Sequence, residues 1–472
     1  MTMTSEGQII EPDLGVDRRW TRMGRPGRAA GFLAAALVLA AGSYVLPILR
    51  PAQTPVSRAL VGVAADVGSL TNPDQAAGPA VDDRSPIAER LGFWAGRVQE
   101  RPDDFLSLVQ LASVEAEQAR LTVDLDGYER ALSDVERSLS VVSAYPPTLR
   151  LRASLRFTLH DFVGALADAK TVLKALPDDA TALSLVGDAS IELGRPADAF
   201  VAYERLAGTS RGPWVDIRRA RLAFVTGDPA SALDLARKAA LDARVSDPVE
   251  LGFYEFALGE YARLTGDAAT ARTGYSAALR IRPTDLGALV GLARVDAATG
   301  RPADAVAGLQ KAADIAPQPE TLALLGDLLE AGGDRAGAEV RFKTVRFIRQ
   351  LGATQGAVYD RQLLRFELDH GGATPAVLAD VQASVALRPD STGHDLGAWA
   401  LYRLGRYDDA AVEIRAARAY GSDDARLRYH DGAIAIARGD RAGGQALLRS
   451  ALADGPALDP IERTEVERLL GE

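Results

Sequence analysis

The chain has no cysteine and, in 472 residues, only four histidines, four tryptophans and three methionines. Without thiols there is no disulfide, no thiolate zinc site, no cysteine nucleophile and no lipoprotein-type anchor. Aromatic residues make up 6% of the chain, while Ala, Leu, Gly and Arg abound. That balance disfavours a bulky sheet core and favours thin layers of helix. A basic excess is also missing. There are 64 acidic against 54 basic side chains, a net charge of −10, so a general phosphate-binding face is not expected. No G-x-S-x-G, H-E-x-x-H, Walker-type or dinucleotide glycine fingerprint occurs. The 47% apolar and 25% charged content is nevertheless that of a folded chain, not a disordered one.

What is present begins with an asymmetric N-terminus. Arg18, Arg19, Arg22, Arg25 and Arg28 precede a charge-free run, residues 29–49, AAGFLAAALVLAAGSYVLPIL. As a helix of ~1.5 Å per residue this run matches the hydrocarbon thickness of a bilayer. It reads as a signal anchor, with residues 1–28 in the cytoplasm and the bulk of the chain outside. A cleaved signal peptide with Ala40-Ala41-Gly42 at the cut is the alternative, although the apolar run continues past that point. The Arg18-Arg19 pair fits a twin-arginine export signal poorly. Gly27 and Gly31 form a G-x-x-x-G, but Gly27 lies among arginines at the membrane edge, which weakens it as a pairing motif. Residues 50–85, rich in Pro, Gly, Ala and Asp with no lasting period, read as a flexible linker.

From residue 86 the chain repeats itself. A glycine recurs in LGRPADA (Gly194), TGDPASA (Gly227), TGDAATA (Gly266), TGRPADA (Gly300), GGDRAGA (Gly333), HGGATPA (Gly372), LGRYDDA (Gly405) and RGDRAGG (Gly439). The gaps are mostly 33 or 34 residues, and two of 39 suggest loop insertions. Each glycine suits the left-handed stop of one helix, with Asp or Pro starting the next. Ala199, Ala232, Ala271, Ala305, Ala338 and Ala410 fall five residues on, where two helices must approach closely. Tyr203, Tyr275, Leu309, Phe342 and Leu448 follow one turn later, and Pro283, Pro317, Pro389 and Pro456 close units.

This register resembles the tetratricopeptide repeat, a helix-turn-helix unit. In Leu258–Pro283 the positions Leu258, Gly259, Gly266, Ala271, Tyr275, Ala278 and Pro283 all fit, while Glu255 stands where the repeat places an aromatic. His160 replaces the hinge glycine of an early unit, and the first unit carries a longer hinge around Leu121–Gly127. The resemblance implies an all-α solenoid of about ten hairpins over residues 86–472, each stable only against its neighbours. The helix at Pro460–Leu470 is expected to cap it with its charges in water. The layout of membrane segment, linker and array resembles bacterial membrane-anchored tetratricopeptide proteins.

In such arrays the first helix of each unit lines a concave face. By register that face is expected to carry Trp214, Arg221, Phe253, Phe256, Glu260, Arg263, Arg294, Phe366, Trp399, Tyr402 and Tyr429, and aromatics and arginine dominate binding hot spots. The alternative for each is to fill gaps between helices. His370, His394 and His430 fall in consecutive units beside Asp369, Asp395 and Asp431. They occupy different places in their units, which argues against a shared metal or acid–base centre. The expected function is therefore a non-enzymatic, membrane-tethered scaffold binding a protein or peptide in its groove, with no catalytic residues, metal or cofactor. An exported sensor for a carbohydrate or small metabolite is the alternative.

Overall fold

The computed structural model describes residues 85–471, apart from residues 123, 247 and 355–360. The expected membrane segment (29–49), the arginine-rich segment before it and the linker up to residue 84 lie outside the described residues. Among the described residues no helix is long and apolar enough to cross a membrane.

Twenty-two α-helices and a short 3-10 turn, with no strand, make up the described residues. Helix α1 (Ile87–Glu100) precedes ten antiparallel hairpins. Units 1 to 5 are α2 (Phe105–Thr122) with α3 (Leu125–Val141), α4 (Pro146–Thr158) with α5 (Phe162–Ala175), α6 (Ala180–Glu192) with α7 (Pro196–Thr209), α8 (Pro213–Val225) with α9 (Pro229–Ser246), and α10 (Pro248–Leu264) with α11 (Ala268–Ile281). Units 6 to 10 are α12 (Leu286–Ala298) with α13 (Pro302–Ile315), α14 (Pro319–Ala331) with α15 (Arg335–Thr354), α16 (Arg361–Asp369) with α17 (Pro375–Leu387), α18 (Ser391–Arg403) with α19 (Tyr407–Arg418), and α20 (Ala425–Ala437) with α21 (Arg441–Ala453). Helix α22 (Pro460–Leu470) closes the chain.

The local causes are those the repeat requires. At most hinges a glycine adopts φ between +67° and +97°, a region costly for any residue with a Cβ, and His160 takes it at +65° in unit 2. In unit 8 the left-handed residue is Gly371, not Gly372 as the spacing suggested. The first of the two adjacent glycines terminates α16. Asp161, Asp179, Asp267, Asp285, Asp424 and Asp440 then accept a backbone N–H in the first turn of the following helix. The alanines at the crossing point are all buried, as are Tyr203, Tyr275, Leu309, Phe342 and Leu448. Each of the larger side chains contributes ~1.5–3 kcal/mol of burial when its neighbours are in place, and each alanine methyl ~0.8 kcal/mol.

Three details depart from the expectation. The hinge of unit 1 is short, because α2 runs to Thr122 and α3 starts at Leu125. Gly127 lies inside α3, where a Cβ would come within 2.8 Å of the Ala119 methyl. The first extra length in the repeat is helix rather than loop: α9 has 18 residues, whereas α7 and α11 have 14. A second set of glycines has nothing to do with hinges. Gly187 of α6, Gly259 of α10, Gly291 of α12 and Gly326 of α14 leave room for the rings of Tyr203, Tyr275, again Tyr275, and Phe342.

The stack winds tightly enough to meet itself. The hinge at Gly194 (unit 3) lies against the Pro389 carbonyl and Tyr420, which follow units 8 and 9. Gly227 (unit 4) lies against Gly421, after unit 9, and Gly266 (unit 5) against Asp454, after unit 10. The offset along this seam is five units, so about five hairpins complete one superhelical turn.

Candidate functional site

The inner surface is built by the even-numbered helices, and the second turn fills much of it. Glu192, at the end of α6, accepts hydrogen bonds from Arg221 of α8 and from Arg388 across the seam. Burial alone would raise the pKa of this carboxyl, but Arg388 and Arg221 hold it down at about 2. The Arg388 guanidinium also sits 5.0 Å from the centre of the Phe162 ring. His160 lies close by, and burial together with the Arg388 charge depresses its pKa to about 4. Arg361 of α16 completes the cluster, donating to Asp390 at 2.6 Å.

A second cluster surrounds the tail. Arg263 of α10 donates to the Pro456 carbonyl at 3.1 Å while pairing with Glu260. Arg294 of α12 donates to Asp459 at 2.6 Å and to Glu320 at 2.7 Å. Arg426 of α20 reaches both Asp459, at 3.3 Å, and Glu462. Arg365 of α16 lies 4.0 Å from Glu462 and 3.9 Å from Asp395. Burial pushes the Asp459 carboxyl up, yet Arg294 and Arg426 hold it well below the usual carboxylate range. Behind these charges, Val466 and Leu470 of α22 join the apolar core of units 8 to 10. Helix α22 therefore does not cap the stack with its charges all in water. Its first turn faces inward, with Glu462 buried among arginines.

The eleven residues expected on the concave face divide accordingly. Arg263 and Arg294 do meet a peptide segment, the chain's own. Glu260 is buried and accepts from Tyr275 and Arg263. Arg221 is tied to Glu192. Phe366 is buried and stacks on His370 at 4.2 Å. Trp399 is 1% exposed and donates to Asp369 at 2.8 Å, between His430 at 4.1 Å and Tyr402 at 4.8 Å. Tyr429 is buried beside it. Trp214, Phe253, Phe256 and Tyr402 remain partly exposed. Phe366, Trp399 and Tyr429 are packing residues, filled in by the units beside them.

None of His370, His394 and His430 pairs with the acid next to it in the sequence. His370 meets Asp327 at 2.8 Å, His394 meets Glu413 at 2.8 Å and His430 meets Asp395 at 2.7 Å. No group of three metal-ligating side chains gathers among the described residues. Sequence reading missed Arg361 and Arg388 with their partners Asp390 and Glu192, and Arg365 and Arg426 with Asp459 and Glu462. The Asp-Pro-x-Glu opening of α22 was visible as an ordinary helix start; its inward direction depends on contacts far apart in sequence.

Residues 262–328 match the family model described as tetratricopeptide repeat. No curated protein matches the chain. Among solved structures, the human IFIT1 dimer with m7Gppp-AAAA aligns at 16% identity over 71% of this chain and 77% of its own, with a TM-score of 0.46. PilW, a widely conserved type IV pilus biogenesis factor, aligns at 20% identity over 46% of this chain and 96% of its own, with a TM-score of 0.37. A tetratricopeptide repeat protein from Parabacteroides merdae aligns at 18% identity over 54% and 98%, with a TM-score of 0.31. These are likenesses of helical-repeat fold alone.

Proposed function

We propose that this tetratricopeptide-repeat solenoid is a non-enzymatic scaffold that binds a protein partner while tethered to the cytoplasmic membrane through residues 29–49. The repeat fold is one used for protein interaction, and among the described residues no group of three metal-ligating side chains gathers. The observation that supports the reading best is the stack itself: ten hairpins spend their apolar residues on one another and leave partly exposed Trp214, Phe253, Phe256 and Tyr402 on its inner helices. The tether rests on the sequence of residues 17–49.

A photo-crosslinking residue in place of Phe253, in the full chain and in intact cells, tests the reading. A discrete set of crosslinked proteins is expected, reduced at least fivefold by Trp214→Ala and Phe256→Ala together, while the thermal melt stays within a few degrees. Crosslinking unchanged by those substitutions refutes the assignment. For the tether, the protein should sediment with membranes through a carbonate wash and leave them when residues 29–49 are deleted.

A further inference from the structure

The arginines that hold Pro456–Glu462 come from four different units: Arg263 from unit 5, Arg294 from unit 6, Arg365 from unit 8 and Arg426 from unit 10. The grip combines two kinds of contact. Arg263 reads backbone, taking the carbonyls of Pro456 at 3.1 Å and Ala457 at 3.5 Å. Arg294 and Arg426 read side chains, converging on the Asp459 carboxylate, while Arg426 also takes Glu462. Both ion-pair partners of Arg426 belong to this tail. Nη1 of Arg365 is buried without a hydrogen-bond partner, 4.0 Å from Glu462. Backbone contacts fix an entering strand of peptide and paired carboxylate contacts fix its register, which is how a groove reads a short segment.

The segment so held has a definite chemistry. Asp459 and Glu462 form a reciprocal capping box around Pro460, so the helix start that places two carboxylates together is preformed. Beyond it, few apolar side chains anchor α22: Val466 and Leu470 are buried and Leu469 partly so, while Thr464 and Arg468 face solvent. The join to α21 is a 3-10 turn, Gly455–Ala457, entered through a left-handed Gly455.

We propose that the niche formed by Arg263, Arg294, Arg365 and Arg426 is the peptide-recognition site of this scaffold, that α22 with its leader is its resident occupant, and that the partner presents an acidic Asp-Pro-x-Glu helix start that replaces it. The proposal rests on the scaffold reading but concerns one site, and it is tested by direct peptide binding rather than by capture.

The probe is a fluorescent peptide of residues 455–471 added to the full chain. The wild type, its niche filled, should bind it at least tenfold more weakly than a full chain carrying Asp459→Ala and Glu462→Ala. Adding Arg294→Ala and Arg426→Ala to that chain should return binding to the weak level, as should the same two acid-to-Ala changes in the peptide. Equal binding to wild type and the double variant, with the variant's melt and hydrodynamic radius unchanged, overturns the proposal. Should the double variant unfold, hydrogen exchange on the wild type decides: excess peptide is expected to speed exchange of the backbone amides of residues 461–470 at least fivefold and leave α18 unchanged. No change there overturns it. A dimer that forms with rising concentration by exchanging tails also overturns it, since the occupant would then be a second copy. Loss of peptide binding with cellular crosslinking at position 253 intact would sink this site and leave the scaffold standing.

Discussion

The closed seam can be tested with two alanines. Gly194 and Gly300 occupy the same place in their units, with φ of +67° and +76°. Alanine in that region costs ~1–2 kcal/mol at either site. What differs is the space around them. At Gly300 nothing lies within 4 Å of an added Cβ, whereas at Gly194 the Cβ would fall inside the Pro389 carbonyl oxygen and 2.8 Å from the Tyr420 hydroxyl. Relieving that overlap must either part the two turns or distort them, at ~1–3 kcal/mol more. Gly194→Ala should therefore lose about 2–5 kcal/mol and Gly300→Ala about 1–2, measured by urea melts of the full chain compared at matched slopes. Small-angle scattering should show Gly194→Ala expanding the molecule and Gly300→Ala leaving it alone. Equal losses, with equal scattering curves, would mean that the turns do not touch in solution.

Three further outcomes follow from the inner packing. Trp399→Ala should cost ~3–5 kcal/mol, seen as a lowered urea midpoint, because it empties a site between Tyr402 and His430 and strips Asp369 of a donor. His160→Gly should stabilise the chain by up to about 1 kcal/mol by removing the strain of a left-handed side chain. Its gain should be larger at pH 5 than at pH 7.5. The buried imidazole has its pKa lowered to about 4, so the unfolded chain binds a proton there between pH 6.5 and 4 that the folded chain refuses, and wild-type stability falls as pH falls through that window. Glu115 runs the other way: burial and the nearby Asp134 raise it to about 7, so the folded chain holds a proton that the unfolded one releases above pH 4.5. Stability should drop as pH rises from 5 to 8, and Glu115→Gln should flatten that slope, by on the order of 1 kcal/mol for a half-exposed group.

The hairpins were legible because their causes are local. A left-handed glycine, an Asp cap, an alanine at the crossing and an aromatic one turn later can all be read within a single unit. The unit 8 hinge shows the limit of spacing: Gly371 and Gly372 are equivalent in sequence, and only the backbone says which one turns. The inner surface was legible in composition but not in state. Arg263 and Arg294 were expected on the concave face for a partner, and what they meet is the chain's own tail, 165 to 194 residues further along. Trp399 was expected to face a partner and instead packs against its neighbours in the stack, Asp369 of unit 8 and Tyr429 and His430 of unit 10. Curvature sets where the two turns meet. It accumulates from small rotations at every hairpin, and no single unit carries a signal for it.

The seam also restricts how such a chain can change its length. In an open array a hairpin can be added or lost anywhere, since each one answers only to the two beside it. Here an insertion between units 6 and 8 would slide every seam partner out of step: Gly194 would no longer find Pro389, and Asp459 would no longer find Arg294. Growth by duplication is thereby confined to the ends, and the number of hairpins between seam partners becomes a heritable dimension of the molecule, fixed as firmly as any residue in its core.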